Sequence, residues 1–339
     1  MKRTLHINYL SAIAAAAMTS VALTACRDNI GANGADGQDA DLRDALLIAT
    51  ISEPQSRTNY TDDGTSYSSG GKVKVTWSAD DSIRLYKADN SVGADTITFQ
   101  LSSGADSKKG GFSLKWDKAQ NPNNGLLNAS LKYSPKVKYK AIYPAPIDEF
   151  NRTKEAQNLT AVDFLNSPSN TPQMQVGGSN TMDHLCQYDM MTAVKSPNDK
   201  NLKFEHQVAV LRIVLHFDMK AGGSSAIDVH AGAKARMVSI KGPKALGNKT
   251  YQIAIPEDKA PVMNPGSSTV AFYLTVPPFI AQAGEEMEIQ TMLYKKLNPP
   301  KYDPTDGKTV IQTGYLITLT DKHKFTAQQS FDKGCIYMI

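Results

Sequence analysis

Lys72-Val73-Lys74-Val75-Thr76-Trp77 is the stretch on which the fold turns. Val73, Val75 and Trp77 fall on one side of an extended chain, and Lys72, Lys74 and Thr76 on the other. That period of two marks a half-buried strand. The same alternation returns downstream. Ile83 and Leu85 follow a turn at Asp80-Asp81, then come Ile97, Phe99 and Leu101, and Phe112, Leu114 and Trp116 follow Gly110-Gly111. Leu131 and Tyr133 lead into Val137, Tyr139, Ala141 and Tyr143, stopped by Pro144. Short alternating segments punctuated by Gly, Pro, Asn and Asp predict an antiparallel β-sandwich.

Further along, residues 151–200 are less regular, with Asn-, Ser- and Pro-rich loops around a short segment at 188–194. Ser196-Pro197-Asn198-Asp199 reads as a break between domains. A long apolar strand follows. Val208, Val210 and Val214 face one way, and Leu211, Ile213, Leu215 and Phe217 the other, so both faces are expected to be covered. More strands are predicted at 237–240, 251–255, 270–276, 287–294 and 315–319. No long amphipathic helix is present. The chain reads as all-β, with an N-terminal β-sandwich domain over 45–198 and a C-terminal one over 199–339.

Upstream, Ala45-Leu46-Leu47-Ile48-Ala49-Thr50-Ile51 is an apolar, partly β-branched run that reads as a strand buried on both faces. Residues 26–44, rich in Gly, Asn, Asp and Ala, read as a flexible tether. Residues 1–25 have the layout of a lipoprotein signal peptide. Lys2 and Arg3 form a basic start, residues 12–23 an apolar core, and Leu23-Thr24-Ala25-Cys26 a small-residue exit ending in cysteine. The Cys26 thiol is the expected lipidation site. Two or more acyl chains anchor firmly, at about 0.8 kcal/mol per buried CH₂. Later apolar runs are too short to span a bilayer as helices. The expected location is the outer membrane and cell surface, lipid-anchored through Cys26.

Removing 25 of the 339 residues leaves 314, a length that favours two domains. Lys2 and Arg3 leave with the leader, so the 37 basic residues fall to 35 against 33 acidic. That near-neutral balance, without a basic run interleaved with aromatics, argues against a nucleic-acid partner. Cys186 and Cys335 either pair in an oxidising compartment or remain buried thiols.

No constellation of catalytic residues emerges. His-Glu-x-x-His, paired Cys-x-x-Cys and Gly-x-Ser-x-Gly are all absent. His206 and His216, ten apart on one predicted strand, would lie more than about 30 Å apart and cannot share a metal. Asp62-Asp63 and Asp80-Asp81 are calcium candidates that read better as solvated turns. Trp77, Trp116, Tyr139 and Tyr143 would suit a sugar platform, but their parity favours core packing. No enzyme activity, cofactor or metal is expected.

Taken in order, several local patterns resemble the fimbrillin family, the type V pilin group of lipoprotein precursors. They begin with the lipobox ending at Cys26, the strand at 45–51, and Ser56-Arg57-Thr58. Val75-Thr76-Trp77-Ser78-Ala79-Asp80-Asp81-Ser82-Ile83 is similar to the family's Trp-x-x-Gly-Asp-x-Ile segment, with Ala79-Asp80-Asp81 where Gly-Asp is usual. Tyr139-Lys140-Ala141-Ile142-Tyr143-Pro144 resembles an Ala-x-Tyr-Pro strand end. Tyr188-Asp189-Met190-Met191-Thr192-Ala193 resembles an Asp-Leu-x-x-Ala segment, and Phe204-Glu205-His206 the Phe-x-His opening of the second domain.

The resemblance implies two tandem transthyretin-like antiparallel β-sandwich domains in a pilus subunit assembled by donor-strand exchange with other pilin subunits. It implies a trypsin-like, Arg-specific protease that removes the first strand, with Arg57 as the candidate cleavage site. Arg57 lies in a polar loop, whereas a cut at Arg43 would leave the strand in place. The displaced strand would carry Leu46, Leu47, Ile48 and Ile51, each worth about 1.5–3 kcal/mol if fully buried, a deficit of order 5–10 kcal/mol. That deficit would drive capture of a replacement strand. Shaft subunits carry further C-terminal sequence to donate, and little follows Tyr337 here, so a tip or accessory adhesive subunit with a host protein or glycan ligand is expected. The competing reading is a surface glycan-binding β-sandwich lipoprotein that does not polymerise.

Overall fold

The structure is a computed structural model, and it describes residues 46–52, 76–88, 97–114, 133–145, 159–216, 232–263, 269–305, 307 and 309–339. The chain is all-β. Its first strands are β1 (Leu47–Ile51), β2 (Ser82–Lys87), β3 (Ile97–Ser103), β4 (Lys109–Leu114) and β5 (Tyr139–Tyr143). A short helix α1 (Ala161–Leu165), β6 (Gln173–Met174) and a single turn α2 (Leu185–Tyr188) come next. Then follow β7 (Met191–Lys195), β8 (Asn201–His206), β9 (Ala209–His216), β10 (Lys234–Lys241), β11 (Thr250–Ala254) and β12 (Thr269–Val276). The last are β13 (Phe279–Ala281), β14 (Glu286–Tyr302), β15 (Val310–Lys324), β16 (Gln329–Phe331) and β17 (Ile336–Met338).

Seven strands close into a barrel in the order β1-β4-β3-β2-β5-β7-β8. Every neighbouring pair is antiparallel except the closing seam, where β1 runs parallel to β8. Alternation predicts which side a residue faces and is silent on the direction of its neighbour, so the parallel seam is invisible in the sequence. The barrel interior is filled by alternate residues: Ile83 and Leu85, Ile97, Phe99 and Leu101, Tyr139, Ala141 and Tyr143, Leu202 and Phe204. Trp77 lies at its centre, fully buried, in a segment without strand pairing. Residues 72–75 and Trp116 lie outside the described residues.

A second core forms between a five-stranded sheet, β15-β14-β10-β11-β6, and a three-stranded sheet, β12-β9-β17. Leu211 and Ile213 of β9 face that core, with Val208 just before the strand. Val210 and Val214 pack the opposite face with Ala271, Tyr273 and Ile336. Both faces of β9 are therefore covered. Tyr86 and Ile142, on the outside of the barrel, are buried in this second core.

Leu159, Phe164, Leu165, Tyr188 and Met190 lie in the second core, while β8, beyond the Ser196–Asp199 turn, completes the barrel. Gln207-Val208 separates β8 from β9, so His206 and His216 belong to two strands and not one. Asn298-Pro299-Pro300 does not end its strand. The β14–β15 hairpin runs through it, with register shifts near Lys296 and Lys301 that accommodate residues unable to donate to a ladder.

One edge is closed by side chains. Gln173 donates to the Thr275 carbonyl at 2.8 Å and accepts the Thr275 N–H at 3.0 Å. Gln175 donates to the Ala271 carbonyl at 3.0 Å and accepts the Tyr273 N–H at 2.9 Å. His184 Nε2 lies 2.7 Å from the Tyr273 carbonyl. These buried amides imitate a neighbouring strand along β12 and occupy groups that an exposed edge would offer to another chain.

Candidate functional site

The site is the seat of β1. This strand is held on both sides: antiparallel to β4, with Leu47 opposite Phe112 and Ala49 opposite Gly110, and parallel to β8, with Ile51 beside Phe204. Backbone bonds beyond the ladder extend the hold. Ile48 N–H donates to Lys200 O at 2.8 Å, Ile51 N–H to Lys108 O at 2.9 Å, and Ser52 N–H to Phe204 O at 2.9 Å.

The inward face is Leu47, Ala49 and Ile51, at 0 %, 0 % and 3 % exposure. Leu46 is 44 % exposed, Ile48 is half-buried and Thr50 is exposed. Burial on both faces is therefore replaced by burial on one. Leu46 adds little to the core and Ala49 belongs in its place. A run in which Leu46, Leu47 and Ile48 are all apolar carries no alternation from which to read parity. With two bulky residues and one methyl buried, the hydrophobic contribution of the strand is about 4–7 kcal/mol.

Beneath β1 stands Trp77. Its indole Nε1 donates to the Ala49 carbonyl at 3.2 Å. Its ring meets Phe112, Tyr143 and Phe204 edge-on, at centroid distances of 5.1, 5.3 and 5.6 Å. Its backbone is fixed at both ends, N–H to Ser107 O at 2.9 Å and carbonyl from Asp106 N–H at 2.7 Å. Trp77, Tyr139 and Tyr143 thus pack inside the barrel, Tyr139 and Tyr143 by the parity of β5 and Trp77 from a segment outside any strand.

Asp81 is a correction. It is no solvated turn residue: only 8 % exposed, it accepts the Ser78 N–H at 2.7 Å and the Tyr143 hydroxyl at 3.0 Å. Burial pushes its carboxyl up to about 6, against the pull of those two hydrogen bonds. Asp80 beside it is exposed. Asp62 and Asp63 lie outside the described residues. Among the described residues, no group of three or more His, Cys, Asp or Glu is placed to hold a metal.

Cys26 and Arg57 also lie outside the described residues. Cys335 is a buried free thiol, so the Cys186–Cys335 bridge is not formed. No helix among the described residues is long and apolar enough to cross a membrane.

No protein-family model matches the chain, and no curated protein matches it. Among solved structures it is similar to a "putative cell adhesion protein" from Bacteroides ovatus ATCC 8483, at 12% identity and TM-score 0.33, over 82% of this chain and 96% of that one. It is also similar to a fimbrial protein from the same strain, at 12% identity and TM-score 0.29, over 86% of this chain and 48% of that one. A "putative cell adhesion protein" from Bacteroides uniformis ATCC 8492 is a third, at 12% identity and TM-score 0.27, over 87% of this chain and all of that one.

Proposed function

We propose that this chain is a fimbrillin-like surface subunit, not an enzyme, in which β1 fills a groove later taken by a strand from another subunit. The observation that carries the reading is the position of β1. It is short, it closes the barrel between β4 and β8, and it presents one apolar face to the core. Removing it would uncover that face and leave two rows of backbone groups without partners, which is what β-augmentation needs. In this reading the chain is exported as a lipoprotein, held at the outer membrane through Cys26, and cut after Arg57 by an Arg-specific protease. Two tandem transthyretin-like domains and a tip or accessory adhesive role belong to the same proposal.

The glycan-binding alternative lacks a supporting observation, because Trp77, Tyr139 and Tyr143 are consumed by the barrel core. The test is treatment of the full-length protein with an Arg-specific protease, followed by intact-mass analysis under native conditions. A cut after Arg57 with exchange of the released segment for an added strand peptide is expected. A protein that stays uncut at Arg57, or that is cut and takes up no peptide, overturns the reading.

A further inference from the structure

We infer that the groove under β1 selects its occupant by size at one position. It accepts a partner-subunit strand with bulky apolar residues at its first and fifth positions and only Ala or Gly at its third, running parallel to β8. This rests on β1 being exchangeable.

The third position is Ala49, and its cross-strand partner is Gly110. Directly paired residues on neighbouring strands present their side chains to the same face. A Cβ on Gly110 would stand 2.5 Å from Leu101 Cδ1, 2.9 Å from Trp77 Cδ1 and 3.3 Å from Trp77 Cγ. The indole therefore lies hard against this pair of small residues. It is hemmed in by three aromatic rings, tied at its own backbone, and bonded through Nε1 to the Ala49 carbonyl. A branched or long side chain at the third position must displace a ring that has nowhere to go.

The flanking positions differ. Leu47 is paired with Phe112, and Ile51 lies beside Phe204, where the interior is built of separate large side chains and takes a bulky residue at each. Ile48 and Thr50 face outward and impose no comparable limit. Direction follows from the existing ladders, since an occupant reproducing both must run antiparallel to β4 and parallel to β8.

The experiment uses the full-length protein with a specific protease site inserted between residues 53 and 75, nicked there and otherwise intact. Fluorescent peptides of sequence 46–52 carrying Ala, Gly or Leu at position 49 are added, and uptake is followed by anisotropy. The Ala and Gly peptides are expected to exchange in, and the Leu peptide to bind at least about tenfold more weakly. Equal binding of the Leu peptide overturns the size selection. No uptake of any peptide overturns exchangeability instead.

In that event the intact chain still decides the pocket. Ala49→Leu is expected to lower Tm by more than about 5 °C, or to prevent folding, while Thr50→Leu shifts it by less than about 2 °C. An unchanged Tm in Ala49→Leu overturns the size selection on its own.

Discussion

Trp77 and Ala49 are joined through the indole N–H and the backbone carbonyl, 3.2 Å apart, at a point where neither residue is exposed. A core side chain thereby holds the main chain of β1 directly. Trp77→Phe removes the donor and leaves a cavity under the strand. It is expected to cost about 2–4 kcal/mol in denaturant unfolding. A loss below about 0.5 kcal/mol would place the anchoring of β1 elsewhere.

Parity along β1 predicts a sharp contrast between adjacent leucines. Leu47→Ala should destabilise the protein by about 2–5 kcal/mol, and Leu46→Ala by no more than about 0.5 kcal/mol. Equal costs in thermal or denaturant unfolding would contradict this parity, and a larger cost at Leu46 would put the strand in the other register.

His206, the last residue of β8, lies 2.8 Å from Asp189 through Nδ1, with Lys333 and Glu205 paired close by. Burial opposes a charge on His206, but the charge and hydrogen bond of Asp189 together outweigh it and raise the proton affinity of the imidazole. A raised histidine stabilises the fold fully below about pH 6.5 and loses that contribution as pH climbs through the raised value. Asp189→Asn should therefore cost more stability at pH 5.5 than at pH 8.5. A penalty independent of pH would show that His206 does not change its charge between those two values.

Asp81 acts in a lower window. Its carboxyl, lifted by burial to about 6, binds a proton more tightly in the folded protein than in the unfolded chain. Its contribution therefore makes stability fall as pH rises from about 4 to about 6. Asp81→Asn should flatten that part of the profile and leave the region above pH 6.5 alone. An unaltered slope between pH 4 and 6 would assign the titration to another group.

Gln175→Ala tests the side-chain seal on β12. It removes the Gln175 bonds to the Tyr273 N–H and to the Ala271 carbonyl, which keeps the Asn180 N–H at 3.2 Å, at a cost of about 1–3 kcal/mol. It should also promote self-association, visible by sedimentation, because part of a strand edge becomes available. A stable monomer would show that neighbouring chain still covers the edge.

Much of the barrel was legible from period two. Ile83, Leu85, Phe99, Tyr139 and Tyr143 point inward as their spacing requires, and β9 is covered on both faces. What the sequence hid is of three kinds. The parity of β1 is masked by three consecutive apolar residues. The parallel seam depends on a neighbour far along the chain. Gln173 and Gln175 look like ordinary loop residues, because an amide that mimics a strand is recognisable only once β12 lies beside it. The selective element of the groove was legible only in part. Trp77 announced itself as a core residue, but Ala49 and Gly110 became meaningful only when the register set them side by side.

The parallel seam also bears on the order in which the molecule is made. Ile48 and Asn201 are neighbours across it although 153 residues separate them in sequence. Such a contact carries a heavy loop-closure penalty and comes late in folding. A chain emerging end-first has its β1 ready long before β8 exists, so the barrel stays unsealed until residue 206 has emerged. The strand with the longest wait for its partner is also the one whose departure, under the proposed exchange, would return the barrel to a stage it has already passed through.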